Sequence, residues 1–314
     1  MVALHVCELA TIRVLKECFA LQQSGTPVAL WYKDCAHRGL LGWITHQSTW
    51  TDANQLKAKL KLATGFTAVH VHTTCTNAPL LTHVRSAVSQ KVIWDMHDWT
   101  PEVKPKELLW ACDDVIVPSK GYARNLERYG ANAAVVYSML PRDWFHEIDK
   151  TRINAGILES GIEVPSGKTW RDYTEAQQKL THPLYIYAAT DICIDGPHPV
   201  HAHYQNLLQV APYMGMLRQL SKYAYGYAGA ANSRHDINIC VTNKFWEYIA
   251  AGIPVVTYHA SEMAELVKES WVGVNLKRLD QPFTVPGRET LAEDRYKFTM
   301  ETQLETIKET YQCN

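Results

Sequence analysis

Short apolar runs rich in β-branched residues alternate with longer amphipathic runs, and this alternation constrains the fold more than any other feature. Residues 2–7 form an apolar run, and Ile12, Leu15 and Phe19 then recur at helical spacing before a second apolar run at residues 28–32. The pattern continues along most of the chain. Such alternation predicts parallel sheets that are flanked by helices.

The alternation is interrupted near residues 140–152, and the interruption indicates a boundary between domains. A chain of 314 residues is long enough for two domains. We predict an α/β fold with two Rossmann-like, doubly wound domains, residues 1–145 and 150–288, that face each other across a cleft. The last segment, residues 289–314, is predicted to form an amphipathic helix. Ligands of such sheets bind beyond the carboxyl ends of the strands.

Composition and charge narrow the classes of function. Hydrophobic residues make up 46%, charged residues 20%, and the formal net charge is -1, so no global basic field indicates a nucleic-acid partner. The chain through Phe145 holds 15 Lys+Arg and 12 Asp+Glu, against 16 and 20 in the remainder, so the first domain is slightly basic. No apolar run approaches the ~20 residues of a membrane span, and no secretory signal is present. We therefore predict a cytoplasmic protein.

The stretch NKFWEYIAAGIPVVT, residues 243–257, predicts a helix, a turn at Gly252 and a buried strand. The first turn of a helix has unpaired N–H groups and a partial positive charge, which favour a phosphate. Lys244 adds a cation where the helix dipole disfavours one, and an anionic ligand would resolve that conflict. Glu247, one turn later, can accept hydrogen bonds from a diol such as ribose. A solvated lysine and an ordinary first-turn glutamate would explain the same residues.

The stretch DMHDW, residues 95–99, ends a predicted strand at the edge that is expected to face the cleft. His97 and Asp98 can act as a general base and the carboxylate that orients it. A hydrogen-bonded structural pair at a strand end would explain the same two residues. Asp95, and Glu8 in the first strand–helix turn, are alternatives for the base.

Several segments resemble GT-B-fold glycosyltransferases of the broad group related to family 4. They are NKFWEYIAAGIPVV, VHVH, VIWDMHD, CDDVIVPSKGYARNLERYG and SEMAELVKESWVGV, and their order along the chain matches that group. The similarity covers most of the chain in patches and is strongest at residues 112–130 and 243–274. It implies a hexosyltransferase-like enzyme with a nucleoside-diphosphate sugar as donor, no required cofactor, and a C-terminal helix that crosses back to the first domain.

The resemblance also assigns the donor site. Lys244, beside Asn243, corresponds to the basic residue that meets the diphosphate, and Glu247 corresponds to the glutamate that binds the ribose hydroxyls. Many members carry another glutamate eight positions earlier, where this chain has Ile239. The resemblance therefore predicts a nucleotide sugar without identifying the sugar or the stereochemistry of transfer.

Three further predictions complete the candidate site. Relatives have a functional histidine at the strand end that His97 occupies, so we predict His97 and Asp98 as the catalytic residues. Arg171, at the start of a predicted helix, is a candidate second cation near the diphosphate, although a surface arginine paired with a nearby acid is the better explanation. Thr190 ends a predicted strand and is placed near the nucleotide base.

The histidines do not predict a metal site. His198, His201 and His203 lie on a proline-interrupted stretch without a carboxylate or cysteine at ligand spacing. His70 and His72 alternate along a predicted strand, so both point to one face, toward the cleft or a helix layer. Relatives with this fold usually work without metal.

The sequence leaves the acceptor open between two classes. Bacterial relatives modify carbohydrates, lipids and small molecules, and some phage-borne relatives glycosylate hydroxymethylated pyrimidines in DNA. Lys57, Lys59 and Lys61 can meet phosphates, but Lys59 points away from the other two on a helix, as on an ordinary solvated face. A non-catalytic nucleotide- or sugar-binding protein and a nucleotide-sugar epimerase on the same fold remain as alternative functions.

Overall fold

The computed structural model describes residues 2–73, 78–99, 105–160, 173–188, 207–208, 213–229 and 238–312. The chain divides into two compact units. Unit 1 holds Met1–Pro141 and Met300–Asn314, and unit 2 holds Arg142–Thr299. Each unit contains its own sheet.

The strands and helices alternate through both units. The strands are β1 (Ala3–Ala10), β2 (Val28–Cys35), β3 (Gln47–Thr49), β4 (Ala68–Thr73), β5 (Lys91–Met96), β6 (Asp114–Val117), β7 (Ala133–Val135), β8 (Ile153–Ser160), β9 (Leu184–Ala188), β10 (Leu207–Leu208), β11 (Tyr223–Tyr227), β12 (Val255–Tyr258) and β13 (Gly273–Leu276). The α-helices are α1 (Ile12–Gln23), α2 (Arg38–Leu41), α3 (Ala53–Leu62), α4 (Ala78–Arg85), α5 (Pro105–Leu108), α6 (Lys120–Glu127), α7 (Thr174–Lys179), α8 (Tyr213–Leu220), α9 (Asn243–Ala250), α10 (Ser261–Ser270), α11 (Arg288–Asp294) and α12 (Leu304–Tyr311).

The sheet of unit 1 has seven strands in the order β3-β2-β1-β4-β5-β6-β7. Every described strand pair in it is parallel. The chain moves outward from β1 in one direction and then restarts at β4 in the other. The strand order therefore reverses between β1 and β4, which is where open α/β sheets form their ligand crevice.

The sheet of unit 2 has six strands in the order β10-β9-β8-β11-β12-β13. Its described pairs are also parallel. The order reverses between β8 and β11, so the two units repeat one topology. The predicted α/β fold with two Rossmann-like sheets is confirmed.

The central strands of unit 1 carry polar residues in an apolar setting. β4 is buried along its whole length, as expected for a strand that is covered on both faces. Yet His5 on β1, His70 and His72 on β4, and Asp95 on β5 are all buried. Buried polar groups need partners, so these four residues indicate an organised cluster.

Local signals explain several boundaries. Asp52 begins α3, and its side chain accepts hydrogen bonds from the N–H groups of Asn54 and Gln55 at 2.9 and 3.0 Å. Gly252 follows α9 with φ 70°, a conformation that favours glycine, and turns the chain toward β12. β1 extends to Ala10, so Glu8 lies inside a strand rather than in the predicted turn.

Within the described parts of the chain, every helix is too short or too polar to serve as a membrane span.

Candidate functional site

The first candidate site lies at the N-terminus of α9 in unit 2. In a parallel sheet, the helix that follows a strand begins at the carboxyl edge of the sheet. α9 lies between β11 and β12, so its first turn is at the edge where ligands of such sheets bind. This turn contains Asn243, Lys244 and Glu247, three of the predicted donor-site residues.

Lys244 is a buried cation. The residue is only 7% exposed, and its Nζ donates a hydrogen bond to the hydroxyl of Tyr173 at 3.2 Å. Nζ also lies 5.3 Å from the centre of the Tyr173 ring, within reach of a cation–π interaction. Among the described residues, no carboxylate forms an ion pair with Lys244, and the helix dipole disfavours the charge. The positive charge is therefore not neutralised by a described part of the chain.

Glu247 is held by a tyrosine from α8. The residue is 1% exposed, and the hydroxyl of Tyr213, on α8, donates to Glu247 Oε1 at 2.5 Å. The ring of Trp144 lies edge-on to Tyr213, with centroids 6.2 Å apart. Asn243 Oδ1 is a buried acceptor with no hydrogen-bond partner among the described residues. The first turn of α9 thus combines a cation, an oriented carboxylate and an amide oxygen.

Two predicted donor-site residues, Arg171 and Thr190, lie outside the described residues and stay predictions. Ile239 is described and half-buried. Sequence reasoning missed Tyr173 and Tyr213, because they are 71 and 34 positions away from the residues that they contact.

The second candidate site is the polar cluster in the centre of unit 1. The strand register places His5 opposite His70, and His72 opposite Asp95. Side chains alternate along a strand, so residues two apart share a face. His70 and His72 therefore lie on one face, and Asp95 and His97 likewise lie on one face of the neighbouring segment.

Asp95 is neutralised from α1. Arg13 donates from Nε to Asp95 Oδ2 at 3.2 Å and from Nη2 to Oδ1 at 3.1 Å, which is a two-pronged pair. Arg13 also donates to the carbonyl oxygen of Val136 at 2.9 Å and lies 3.1 Å from Glu17 Oε1. Arg13, Glu17 and Asp95 are all buried.

The imidazole of His97 faces this cluster. Its Nε2 lies 3.1 Å from His72 Nδ1 and 3.7 Å from Asp95 Oδ2. His72 Nδ1 in turn lies 3.2 Å from Asp95 Oδ2. Asp98, the predicted partner of His97, is exposed. The carboxylate placed beside the His97 ring is thus that of Asp95, two residues earlier on the same face.

A chain of ring contacts continues from His72 through the core. His72 Nε2 lies 2.8 Å from His5 Nδ1, and His5 Nε2 lies 3.2 Å from the hydroxyl of Tyr311 on α12. That hydroxyl lies 2.9 Å from His70 Nδ1. His70 Nε2 completes the circuit at 3.5 Å from Asp95 Oδ2. The C-terminal helix therefore contributes a polar group to the centre of unit 1.

The environment fixes the charges of the cluster. Burial lowers the pKa values of His5, His70 and His72, so these rings are neutral. Burial and the nearby Asp95 raise the pKa of Glu17 well above its usual range. Burial alone would raise the pKa of Asp95 too, but Arg13 and the histidines hold it well below its usual range. Asp95 is the anion of the cluster.

Two groups in the cluster bring metal-ligating atoms within 4.8 Å of one another. The first group is His5, Glu17, His70 and His72. The second group is His72, Asp95 and His97, so His72 belongs to both. Sequence reasoning predicted no metal site, because it considered His70 and His72 without the neighbouring strand. The pairs His70/His72 and Asp95/His97, each spaced by two on adjacent strands, were the available signal.

Comparison with known proteins identifies the fold. No protein-family model matches the chain, and no curated protein matches it by sequence. AviGT4, a glycosyltransferase involved in avilamycin A biosynthesis, is 11% identical; the match covers 98% of this chain and 96% of that chain, with a TM-score of 0.64. Anabaena HepE in complex with UDP is 16% identical over 98% of this chain and 94% of that chain, with a TM-score of 0.62.

A third similar structure is an alpha-glucosyltransferase in complex with UDP and a 13-mer DNA containing a HMU base. It is 12% identical, the match covers 97% of this chain and 99% of that chain, and the TM-score is 0.60. The matches extend over nearly the whole of each chain, so they include both sheets. This protein has the GT-B fold, the two-sheet α/β architecture of these glycosyltransferases.

Proposed function

We propose that this protein is a glycosyltransferase that moves a sugar from a nucleoside-diphosphate sugar to an acceptor hydroxyl. The observation that carries the proposal is the buried cation of Lys244 at the start of α9, with no carboxylate partner among the described residues. A diphosphate would neutralise this charge and would also accept hydrogen bonds from the first-turn N–H groups. The similarity to structures solved with UDP supports the same ligand class.

The three residues at the start of α9 have distinct proposed roles. Lys244 and the helix N-terminus stabilise the negative charge that develops on the leaving diphosphate, where fixed charges contribute most. Glu247, oriented by the Tyr213 hydroxyl, accepts hydrogen bonds from the ribose. Asn243 places a buried amide oxygen at the same turn, where a hydroxyl of the donor can donate to it.

On the acceptor side we propose His97 and its neighbour in sequence, Asp98, as the catalytic residues. The His97 side chain is 10% exposed, and the residue directly follows β5, at the carboxyl edge of the first sheet. Its ring is fixed from behind by His72 and Asp95. His97 can therefore assist loss of the proton from an attacking hydroxyl without first being ordered.

The proposed acceptor is either a carbohydrate or small molecule, or a hydroxymethylated pyrimidine in DNA. AviGT4 and the DNA-bound alpha-glucosyltransferase exemplify different settings on one fold. The lysines of α3 give little support to DNA, because Lys59 is not available as a phosphate contact. Its Nζ donates to Ser48 Oγ at 2.9 Å and to the Thr49 carbonyl.

The proposal is tested by a thermal-shift screen of nucleoside diphosphates and their sugars. A ligand at about a hundred times its dissociation constant adds ~2.7 kcal/mol to the free energy of unfolding. We expect at least one nucleoside diphosphate to stabilise the wild type, and Lys244→Ala and Glu247→Ala to respond much less. Lys268→Ala, an exposed lysine on α10, is the matched control. If no nucleotide shifts the wild type, or if both variants respond as it does, the donor site is wrong.

Product analysis then separates the remaining functions. Transfer yields a glycosylated acceptor with one nucleoside diphosphate per product, whereas an epimerase changes the donor without any acceptor. A nucleotide that binds without turnover, with every donor and with both acceptor classes, would identify a binding protein instead.

A further inference from the structure

We propose that His72, Asp95 and His97 form a binding site for a divalent transition-metal ion of the Zn²⁺ class at the carboxyl edge of the first sheet. The three atoms that would bind it are His72 Nδ1, Asp95 Oδ2 and His97 Nε2. Nothing in the proposed glycosyl transfer requires this ion. The site is inferred from the cluster alone and can be tested without any substrate.

The spacing of the three atoms matches a coordination polyhedron. They form a triangle with sides of 3.1, 3.2 and 3.7 Å. Ligand atoms at ~2.0–2.2 Å from a tetrahedral ion are roughly 3.3–3.6 Å apart. Two imidazoles and one carboxylate are moreover a common ligand set for catalytic zinc, with a fourth position left open.

Lone pairs converge on the triangle. His72 and His97 each direct a ring nitrogen at the other and at the carboxylate oxygen Oδ2 of Asp95. If His72 Nδ1 carries a proton, it can donate to Asp95 Oδ2 or to His97 Nε2. No second proton is then available for the contact between those two atoms. A cation accepts all three lone pairs at once.

The residues behind the triangle form a hydrogen-bonded chain that can hold His72 in the orientation needed to bind a metal. When His72 Nδ1 binds a metal, its proton is on Nε2 and points to His5 Nδ1 at 2.8 Å. The same direction then runs from His5 to the Tyr311 hydroxyl and on to His70 Nδ1. His70 Nε2 is left as a donor that faces the carboxylates of Asp95 and Glu17, at 3.5 and 4.0 Å.

This direction makes the buried His70 Nε2 a donor toward Asp95, the nearer of the two carboxylates. His70 Nε2 has no hydrogen-bond partner among the described residues. With the circuit reversed, it would present a lone pair to two carboxylates. That reversed state is the competing, metal-free arrangement. In it, His72 Nδ1 carries a proton that points into the triangle, and the Glu17 carboxyl carries a second proton.

Accessibility favours this triangle over the other group of possible ligands. The set of His5, Glu17, His70 and His72 is fully buried. In the triangle, Asp95 and His72 have side chains that are 0% and 1% exposed, while that of His97 is 10% exposed. Arg13 fixes the ligating carboxylate from behind. An ion would thus enter past His97 and find two ligands already ordered.

The test is a titration of the metal-free, tag-free full-length chain with Co²⁺, followed by displacement with Zn²⁺. We expect one equivalent of Co²⁺ to bind with visible absorption of a nitrogen- and oxygen-ligated ion. His97→Gln, which removes a ligand at the strand end, should weaken binding by more than 100-fold. His83→Gln, an exposed histidine on α4, should bind as the wild type does.

Tyr311→Phe supplies a variant outside the ligand set. Loss of its hydroxyl breaks the hydrogen-bonded chain through His5 and His70, so the affinity for Co²⁺ should fall by roughly 10- to 100-fold while one equivalent still binds. This variant and the wild-type titration decide the matter if His97→Gln does not fold. Absence of saturable binding in the wild type would overturn the proposal, as would unchanged binding by His97→Gln. An intense near-ultraviolet band from cysteine thiolates would overturn it too, since it would place the ion elsewhere.

Discussion

The two units bury positive charge in opposite ways. In unit 1 the guanidinium of Arg13 is matched by Asp95, Glu17 and a carbonyl group. In unit 2 the buried Lys244 contacts Tyr173, and the buried guanidinium of Arg288, on α11, has no hydrogen-bond partner among the described residues. Charges that are matched internally hold a site in one geometry. A buried cation without an internal anion adds to the free energy of unfolding only when it binds an external anion.

The largest expected effect on stability concerns the ion pair between Arg13 and Asp95 in unit 1. Arg13→Met removes the partner of Asp95 and leaves an uncompensated buried carboxylate, so unit 1 should lose about 3–5 kcal/mol of unfolding free energy. Denaturant unfolding of the full chain measures the loss. Arg38→Met is the control, because Arg38 pairs with Asp34 in an exposed position and should have no measurable effect. A loss no larger than that of Arg38→Met would show that Asp95 is stabilised by other groups.

The next effect concerns Lys244, which has no carboxylate partner in the part of the chain that the structure describes. Lys244→Met keeps the length of the side chain and removes its charge. If Lys244 stabilises the leaving diphosphate as proposed, the rate of sugar transfer should fall by ~10²- to 10³-fold. Stability without ligand should change little or increase, because Lys244 forms no ion pair with any carboxylate among the described residues. Steady-state kinetics measures the first and thermal unfolding the second, with Lys268→Met as control. A strongly destabilised Lys244→Met with normal turnover would reverse the comparison between the units.

Arg288 tests the same contrast without involving the ligand. Burial and the nearby Arg152 lower the pKa of Arg288, which shows that its charge is poorly solvated. Arg288→Met should therefore raise the free energy of unfolding by about 1–3 kcal/mol, the cost of an unsatisfied buried polar group. Arg152→Met, which removes an exposed partner of Glu289, should stay near zero. Destabilisation by Arg288→Met would reveal that the guanidinium has a stabilising role.

The sequence predicted the parts of this comparison that depend on local patterns. Alternating apolar and amphipathic runs identified both sheets, and Asp52 marked the start of α3 because a cap acts within three residues. Lys244 and Glu247 were found together because they share one helix turn. These features need no knowledge of distant parts of the chain.

Long-range contacts account for what the sequence did not predict. His97 was paired with Asp98 because they are adjacent, but alternation along the backbone places His97 and Asp95 on one face. Tyr311 contacts His70 across 241 positions, and no local pattern links them. Arg13 and Glu17 are four residues apart on α1, and only the tertiary fold places Asp95 against Arg13. Polar clusters in a sheet core are assembled by register, which short sequence patterns do not report.

The smallest effect tests whether the Tyr213 hydroxyl orients Glu247 in the proposed donor site before a ligand binds. Tyr213→Phe removes the hydrogen bond from the tyrosine hydroxyl to Glu247 and leaves the ring in place against Trp144. A bond to a charged group contributes about 1.5 kcal/mol, so binding of the nucleoside diphosphate should weaken ~10-fold. Isothermal titration measures the change, and Tyr185→Phe on β9 is the control. If Glu247→Ala weakens binding while Tyr213→Phe does not, Glu247 is oriented by the ligand itself, and the donor site then depends on its ligand for geometry as well as for charge.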